Sequence, residues 1–233
     1  MVLHTGGAGA GSMWGDDLEP LARFRLLLVD HRGRGGSDRP TTLSAHRIEQ
    51  YVADARALAD VAGLDRYAFV RYSFGGGVRL RLAARDRRVR GLVALGTGYE
   101  PPGADASDSV YDEPVQTGMA AFVEMVEREE GIVLPEALRS EFLDTDAEQF
   151  RLTLAACPDP WEELASISAP VLLIAGAEED PDRAQNEMAA RLPDGRSVYL
   201  AGCGHVGAFL RAGEVAAAAL PRLERASRAR TTS

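Results

Sequence analysis

The sequence predicts an α/β architecture: a doubly wound, mostly parallel sheet that carries a small helical insertion. Three observations predict it. Short apolar runs alternate with helical segments along most of the 233 residues. A serine stands where one such run passes abruptly into a glycine-led helix. Between residues 101 and 169 the alternation stops, and only helical patterns remain.

Apolar runs at residues 2–3, 26–29, 68–70, 92–95, 171–174 and 198–200 have the length and content of buried strands. Between the second and third, Ile48, Tyr51, Val52, Ala55, Leu58, Ala59 and Ala62 recur at helical spacing, and Gly63 is placed to stop that helix. Residues 78–84 continue the third run as a helix. The break in rhythm is rich in Asp, Glu and Pro, with helices expected near 117–129, 135–143 and 147–156. The expected division is therefore a core of residues 1–100 and 165–233 and a helical cap of residues 101–164. Neither internal repeats nor low-complexity stretches interrupt it. In a sheet of this kind the site lies at the carboxyl ends of the strands.

Composition narrows the chemistry. A net charge of −9 argues against nucleic acid and against an anionic membrane surface, both of which reward positive charge. The arginines between Arg71 and Arg90 read as a solvated helix end and loop. All 26 basic residues are arginine, so Schiff-base chemistry with pyridoxal phosphate, a Walker lysine and a kinase strand lysine are all excluded. The stretch Gly6-Gly-Ala-Gly-Ala-Gly11-Ser12 lacks that lysine and fails dinucleotide spacing from every starting glycine. Cys157 and Cys203 form no C-x-x-C pair and suggest a reducing compartment. With no apparent leader and no apolar run of spanning length, a cytoplasmic protein is expected.

The serine lies in Tyr67-Ala-Phe-Val-Arg-Tyr-Ser-Phe-Gly-Gly-Gly-Val78. A strained strand-to-helix turn pushes Oγ out of the sheet, which is how a nucleophile elbow works. A hydrolytic serine needs a histidine base and a carboxylate to orient it. Of four histidines only His205 follows Ser73, in a loop just past the last apolar run. The carboxylate is expected in Ala-Gly-Ala-Glu-Glu-Asp180-Pro181, after the fifth run. Asp180 is favoured because Pro181 stiffens its turn, and Glu178 and Glu179 stay open.

The order Ser73, Asp180, His205, each after a core strand, resembles the α/β-hydrolase superfamily, in its serine esterase and haloperoxidase-like branch. Leu3-His4-Thr5-Gly6-Gly7 is similar to the His-Gly loop of that family. Asp30-His-Arg-Gly33-Arg-Gly35-Gly-Ser37-Asp38 is similar to its Asp-x-Arg-Gly-x-Gly-x-Ser loop. The resemblance covers residues 2–99 and 165–222. It implies Ser73 as nucleophile, His205 as general base and acid, Asp180 as its partner, and the N–H groups of Gly6 (or Gly7) and Phe74 as the oxyanion hole. It further implies hydrolysis of an ester, or a related acyl bond, of a small metabolite through an acyl-enzyme. No cofactor and no metal are implied; the partner is a small-molecule substrate, and a homodimer is compatible.

Three departures stand out. Thr5 replaces a usual glycine. Family members have two strands before the His-Gly loop, whereas this chain starts one residue before it, so the sheet is expected to lack that edge hairpin. Arg71 stands where the elbow motif has glycine. A guanidinium there is expected to run outward along the helix or distort the turn, so that Arg71→Gly would raise both rate and stability. The alternative that Arg71 favours is a non-catalytic or impaired small-molecule binding protein on the same fold.

Overall fold

The computed structural model describes residues 2–4, 8–96, 116–155, 161–180 and 182–228. Six strands form one parallel sheet: β1 Val2–His4, β2 Leu27–Val29, β3 Tyr67–Tyr72, β4 Val89–Leu95, β5 Val171–Gly176 and β6 Gly195–Leu200, in the order β2-β1-β3-β4-β5-β6. From β1, inside the sheet, the chain steps outward to β2, then returns across β1 to build β3 through β6 on the other side. The direction of winding thus reverses between β1 and β3, and that crevice is where an open parallel sheet places its site.

Strand periodicity divides the core into two layers. On β3, β4 and β5, Val70, Tyr72, Val93, Leu95, Leu172 and Ile174 face one layer. Phe69, Leu92, Ala94, Val171 and Leu173 face the other. Such strands are buried on both faces, which explains their continuous apolar content.

Helices α1 Ile48–Val61 and α2 Gly75–Arg85 cover the second layer, together with Met188 of α6 Ala184–Arg191. As expected, α1 ends against Gly63, whose φ of +63° suits glycine. The first layer is closed by α8 Ala212–Arg228 and by a 3-10 segment, Gly11–Leu21. That segment was not legible in the sequence, since its apolar residues follow neither period.

Between β4 and β5 stand α3 Met119–Glu130, α4 Glu136–Leu143 and α5 Ala147–Ala155, close to the three helices expected there. The ring of Phe122 meets those of Phe142 and Phe150 at 5.6 and 5.1 Å, so one aromatic centre holds the three together. The same cluster continues into Val206 and Phe209 of α7 His205–Phe209, which joins the insertion to the core. The expected boundary between core and cap at residue 101 lies outside the described residues. Among the described residues no helix is long and apolar enough to cross a membrane.

Candidate active site

β3 ends at Tyr72, and α2 begins at Gly75. Ser73 makes the turn between them with φ of +54°, a left-handed value that costs a non-glycine residue on the order of 1–3 kcal/mol. Its N–H still donates to the Leu95 carbonyl at 2.8 Å, so the strand pairing carries into the turn and holds it. The strain directs Oγ away from the sheet. Phe74, next in the chain, packs against the rings of His31 and Tyr51, which also meet each other, and fixes the start of α2.

His205 Nε2 lies 2.8 Å from Ser73 Oγ, and Nδ1 lies 2.5 Å from Glu179 Oε1. A carboxylate can only accept, so Nδ1 carries a proton; in the neutral ring Nε2 is then left to accept from the serine hydroxyl. Burial of the ring favours its neutral form. The carboxylates of Glu179 and Glu130 outweigh that and hold the imidazole above the usual histidine range, while the Arg71 guanidinium opposes them. The ring also lies over Tyr72, with centroids 4.9 Å apart.

Two glycines make room for this arrangement. A side chain on Gly96 would put Cβ 2.7 Å from His205 Cε1. One on Gly176 would put it 2.3 Å from the carbonyl oxygens of both Cys203 and Gly204. Between those loops, the N–H of Glu178 donates to the Cys203 carbonyl at 3.1 Å, so the acid-bearing and histidine-bearing loops are stitched together.

The structure corrects the expected acid. Asp180 is buried but does not face His205. Its Oδ1 accepts from the Ala184 N–H at 2.8 Å, and its Oδ2 accepts from the Gln185 N–H at 2.9 Å and the Tyr199 hydroxyl at 2.7 Å. Asp180 therefore anchors the start of α6, as acids near helix N-termini do. Burial and the Asp180 carboxylate push the Tyr199 phenol up to about 12. Glu179, one residue earlier, supplies the carboxylate at the histidine. His205 itself opens helix α7 instead of lying in a loop.

Arg71 is also corrected. Its side chain does not reach solvent: it is 0% exposed, and Nη1 donates to the Ser73 carbonyl. The turn keeps its serine–histidine hydrogen bond with the guanidinium in place.

The Asp30 loop has a structural role. Asp30 Oδ1 accepts from the Gly11 N–H at 2.6 Å and Oδ2 from the Gly36 N–H at 3.1 Å, while Arg32 grips Asp54 through two contacts of 2.8 Å. The loop thereby ties β2 to the glycine-rich segment after β1. Gly6 and Gly7 lie outside the described residues; Phe74 stands at the N-cap of α2. Among the described residues, no group of three or more His, Cys, Asp or Glu side chains could hold a metal ion.

A doubly wound sheet with a strained serine at its switch point, joined through histidine to a carboxylate, defines a hydrolase-type scaffold. The model of the alpha/beta hydrolase family matches residues 1–218, and the chain belongs to that family. A Caulobacter sp. (strain K31) protein provisionally named carbamate hydrolase RutD is 28% identical over 222 residues, which cover 83% of this chain and 79% of that one. A 2-hydroxy-6-oxononadienedioate/2-hydroxy-6-oxononatrienedioate hydrolase 2 of Pseudomonas putida is 28% identical over 88% of this chain and 80% of its own. Among solved structures, the enol-lactonase of Burkholderia xenovorans LB400 superposes with a TM-score of 0.78 at 25% identity, covering 96% of this chain and 90% of that one. Family membership and the names of the relatives support hydrolase activity.

Two expectations follow. Glu179→Gln should lower the rate of hydrolysis on the order of a thousandfold, because the amide no longer fixes the productive tautomer. Asp180→Asn should leave the rate within a few-fold and cost instead roughly 1–3 kcal/mol of stability, read by thermal melting. The reverse pattern in steady-state rates would restore Asp180 to the site.

Arg71→Gly should lower the melting temperature on the order of 10 °C, since a large buried side chain in a central strand is removed. Arg71→Met keeps most of that volume and removes the positive charge near His205. Its rate should therefore need higher pH than the parent's, because the guanidinium no longer favours the neutral ring. A melting temperature raised by Arg71→Gly would show that Arg71 strains the turn.

Proposed function

We propose that the chain is a serine hydrolase that cleaves an ester, or a related acyl bond, of a small metabolite through an acyl-enzyme. The observation that carries this reading is the unbroken line from Ser73 Oγ through both ring nitrogens of His205 to Glu179. In the first half-reaction Ser73 Oγ attacks the substrate carbonyl as His205 Nε2 takes its proton. Glu179 stabilises the imidazolium that forms. The tetrahedral oxyanion accepts from the Phe74 N–H and, in the family pattern, from the Gly6 N–H; each such donor is worth about 3 kcal/mol. His205 then gives its proton to the leaving oxygen, the bond to it breaks, and an ester on Ser73 remains. Water repeats the sequence with His205 again as base, releasing the acid and free Ser73.

The names of the relatives put carbamate and lactone substrates within the same chemistry, an attack on a carboxyl or carbamoyl carbon. The helical insertion at α3 to α5, packed beside α7, is the segment that would cap the substrate. A binding protein without activity loses its main support, because Arg71 is taken into the interior with the serine–histidine contact intact.

Ser73→Ala should abolish hydrolysis of p-nitrophenyl acetate and butyrate while leaving the melting temperature within a few degrees, since one hydroxyl is lost and a strained φ remains. In the parent the rate should rise with pH through the ionisation of His205, because only the neutral ring can take the serine proton. That rise should fall above the usual histidine range, since the Glu179 and Glu130 carboxylates favour the charged ring. A parent rate in Ser73→Ala, or a rate independent of pH from 5 to 9, would remove the proposal.

A further inference from the structure

The helix that carries the histidine cannot cap itself. Gly204 stands at its N-cap and has no side chain to offer the free N–H groups of the first turn. A carboxylate from the insertion takes that place. Glu130, the last residue of α3, accepts from the Val206 N–H through Oε1 and from the Gly207 N–H through Oε2, each at 2.8 Å. The partners are 76 and 77 residues apart in sequence. Both flanking glycines leave space for it: a Cβ on Gly204 would lie 2.9 Å from Glu130 Oε2, and one on Gly207 would lie 3.3 Å from the same oxygen.

We propose that Glu130 is a positioning residue for His205: it clamps the first turn of α7 from the insertion, so that insertion and catalytic base are set in place as one unit. The inference rests on the reading of His205 as the base of Ser73. A two-pronged carboxylate fixes both the axial position and the rotation of a one-turn helix, which a single hydrogen bond would not. Its charge acts in the same direction as that of Glu179, favouring the protonated ring.

Among the described residues, the groups facing His205 from the packed elements are few. Glu179 comes from the loop after β5, Arg71 and Tyr72 from β3, Ser73 from the turn and Glu130 from α3. Cys203 lies two residues before the histidine with its thiol toward the Leu200 carbonyl, pushed up by burial and then by neighbouring acids, Glu130 among them. Of these, Glu130 alone lies in the insertion, so it can be altered without touching the serine–histidine–glutamate line.

The test uses Glu130→Gln, Glu130→Asp and Glu130→Ala in the full chain, with two readouts. The first is an NMR titration of the His205 imidazole in a Ser73→Ala background, which needs no activity. The second is the rate of labelling by a fluorophosphonate as a function of pH. Glu130→Gln should move the His205 midpoint, and the acid limb of labelling with it, to lower pH, and Glu130→Asp should restore most of that displacement. Glu130→Ala should lower the labelling plateau about tenfold, since small displacements of a catalytic group carry penalties of that size. If the alanine variant fails to fold, the glutamine and aspartate variants decide.

An unmoved midpoint in Glu130→Gln, with a plateau within twofold of the parent, would overturn the proposal. A parent that is never labelled would instead remove the reading of Ser73 as nucleophile, while the titration would still decide whether Glu130 governs His205.

Discussion

Everything at the site depends on one backbone conformation: the left-handed φ of Ser73 at the end of a central strand. An extended serine there would point its hydroxyl into a neighbouring layer of the core. The left-handed turn instead lifts it beyond the sheet and starts α2 behind it. Strain of this kind persists only where the surroundings over-determine it. Here they do so from several directions: the Leu95 carbonyl holds the Ser73 N–H, the buried Arg71 guanidinium holds the Ser73 carbonyl, and Phe74 is packed against two rings.

The rest of the site is arranged around that fixed oxygen by clearance as much as by attraction. Gly96 and Gly176 are places where a methyl group would collide with the imidazole or with the loop that bears it. The missing side chain of Gly96 admits the imidazole, and that of Gly176 lets the β5 loop approach the α7 loop and donate a backbone hydrogen bond to it. Glu179 then bonds the imidazole and Glu130 the first turn of its helix, and both carboxylates favour the charged form of His205 against the burial of the ring. The resulting base is one whose proton affinity is set by its burial and by two acids and one arginine, each from a different element.

Most of the framework was legible because its signals are local. Six apolar runs declared six strands, since strands buried on both faces must be apolar throughout. Ser73 was marked by the glycines after it, and His205 was the one histidine downstream. The acid was misjudged between adjacent residues. Proximity to Pro181 spoke for Asp180, but neighbouring side chains leave a turn in different directions, and a helix start four residues on captures Asp180. That capture had a signal of its own, an acid shortly before a helical segment. Arg71 misled because the elbow motif treats its position as sterically closed, whereas the folded chain has room for the guanidinium behind the serine carbonyl. Glu130 had no local signal, because its partners are far away in sequence and become neighbours only when the insertion folds onto α7.

The central claim is that Ser73 is an activated nucleophile, and covalent trapping tests it most directly. The protein would be incubated with a fluorophosphonate at a pH above the ionisation of His205, then examined by intact-mass and peptide-mapping mass spectrometry. The account predicts one adduct per chain, located on Ser73 and lost in His205→Ala. An unmodified protein, or an adduct on another residue that survives the loss of His205, would contradict it.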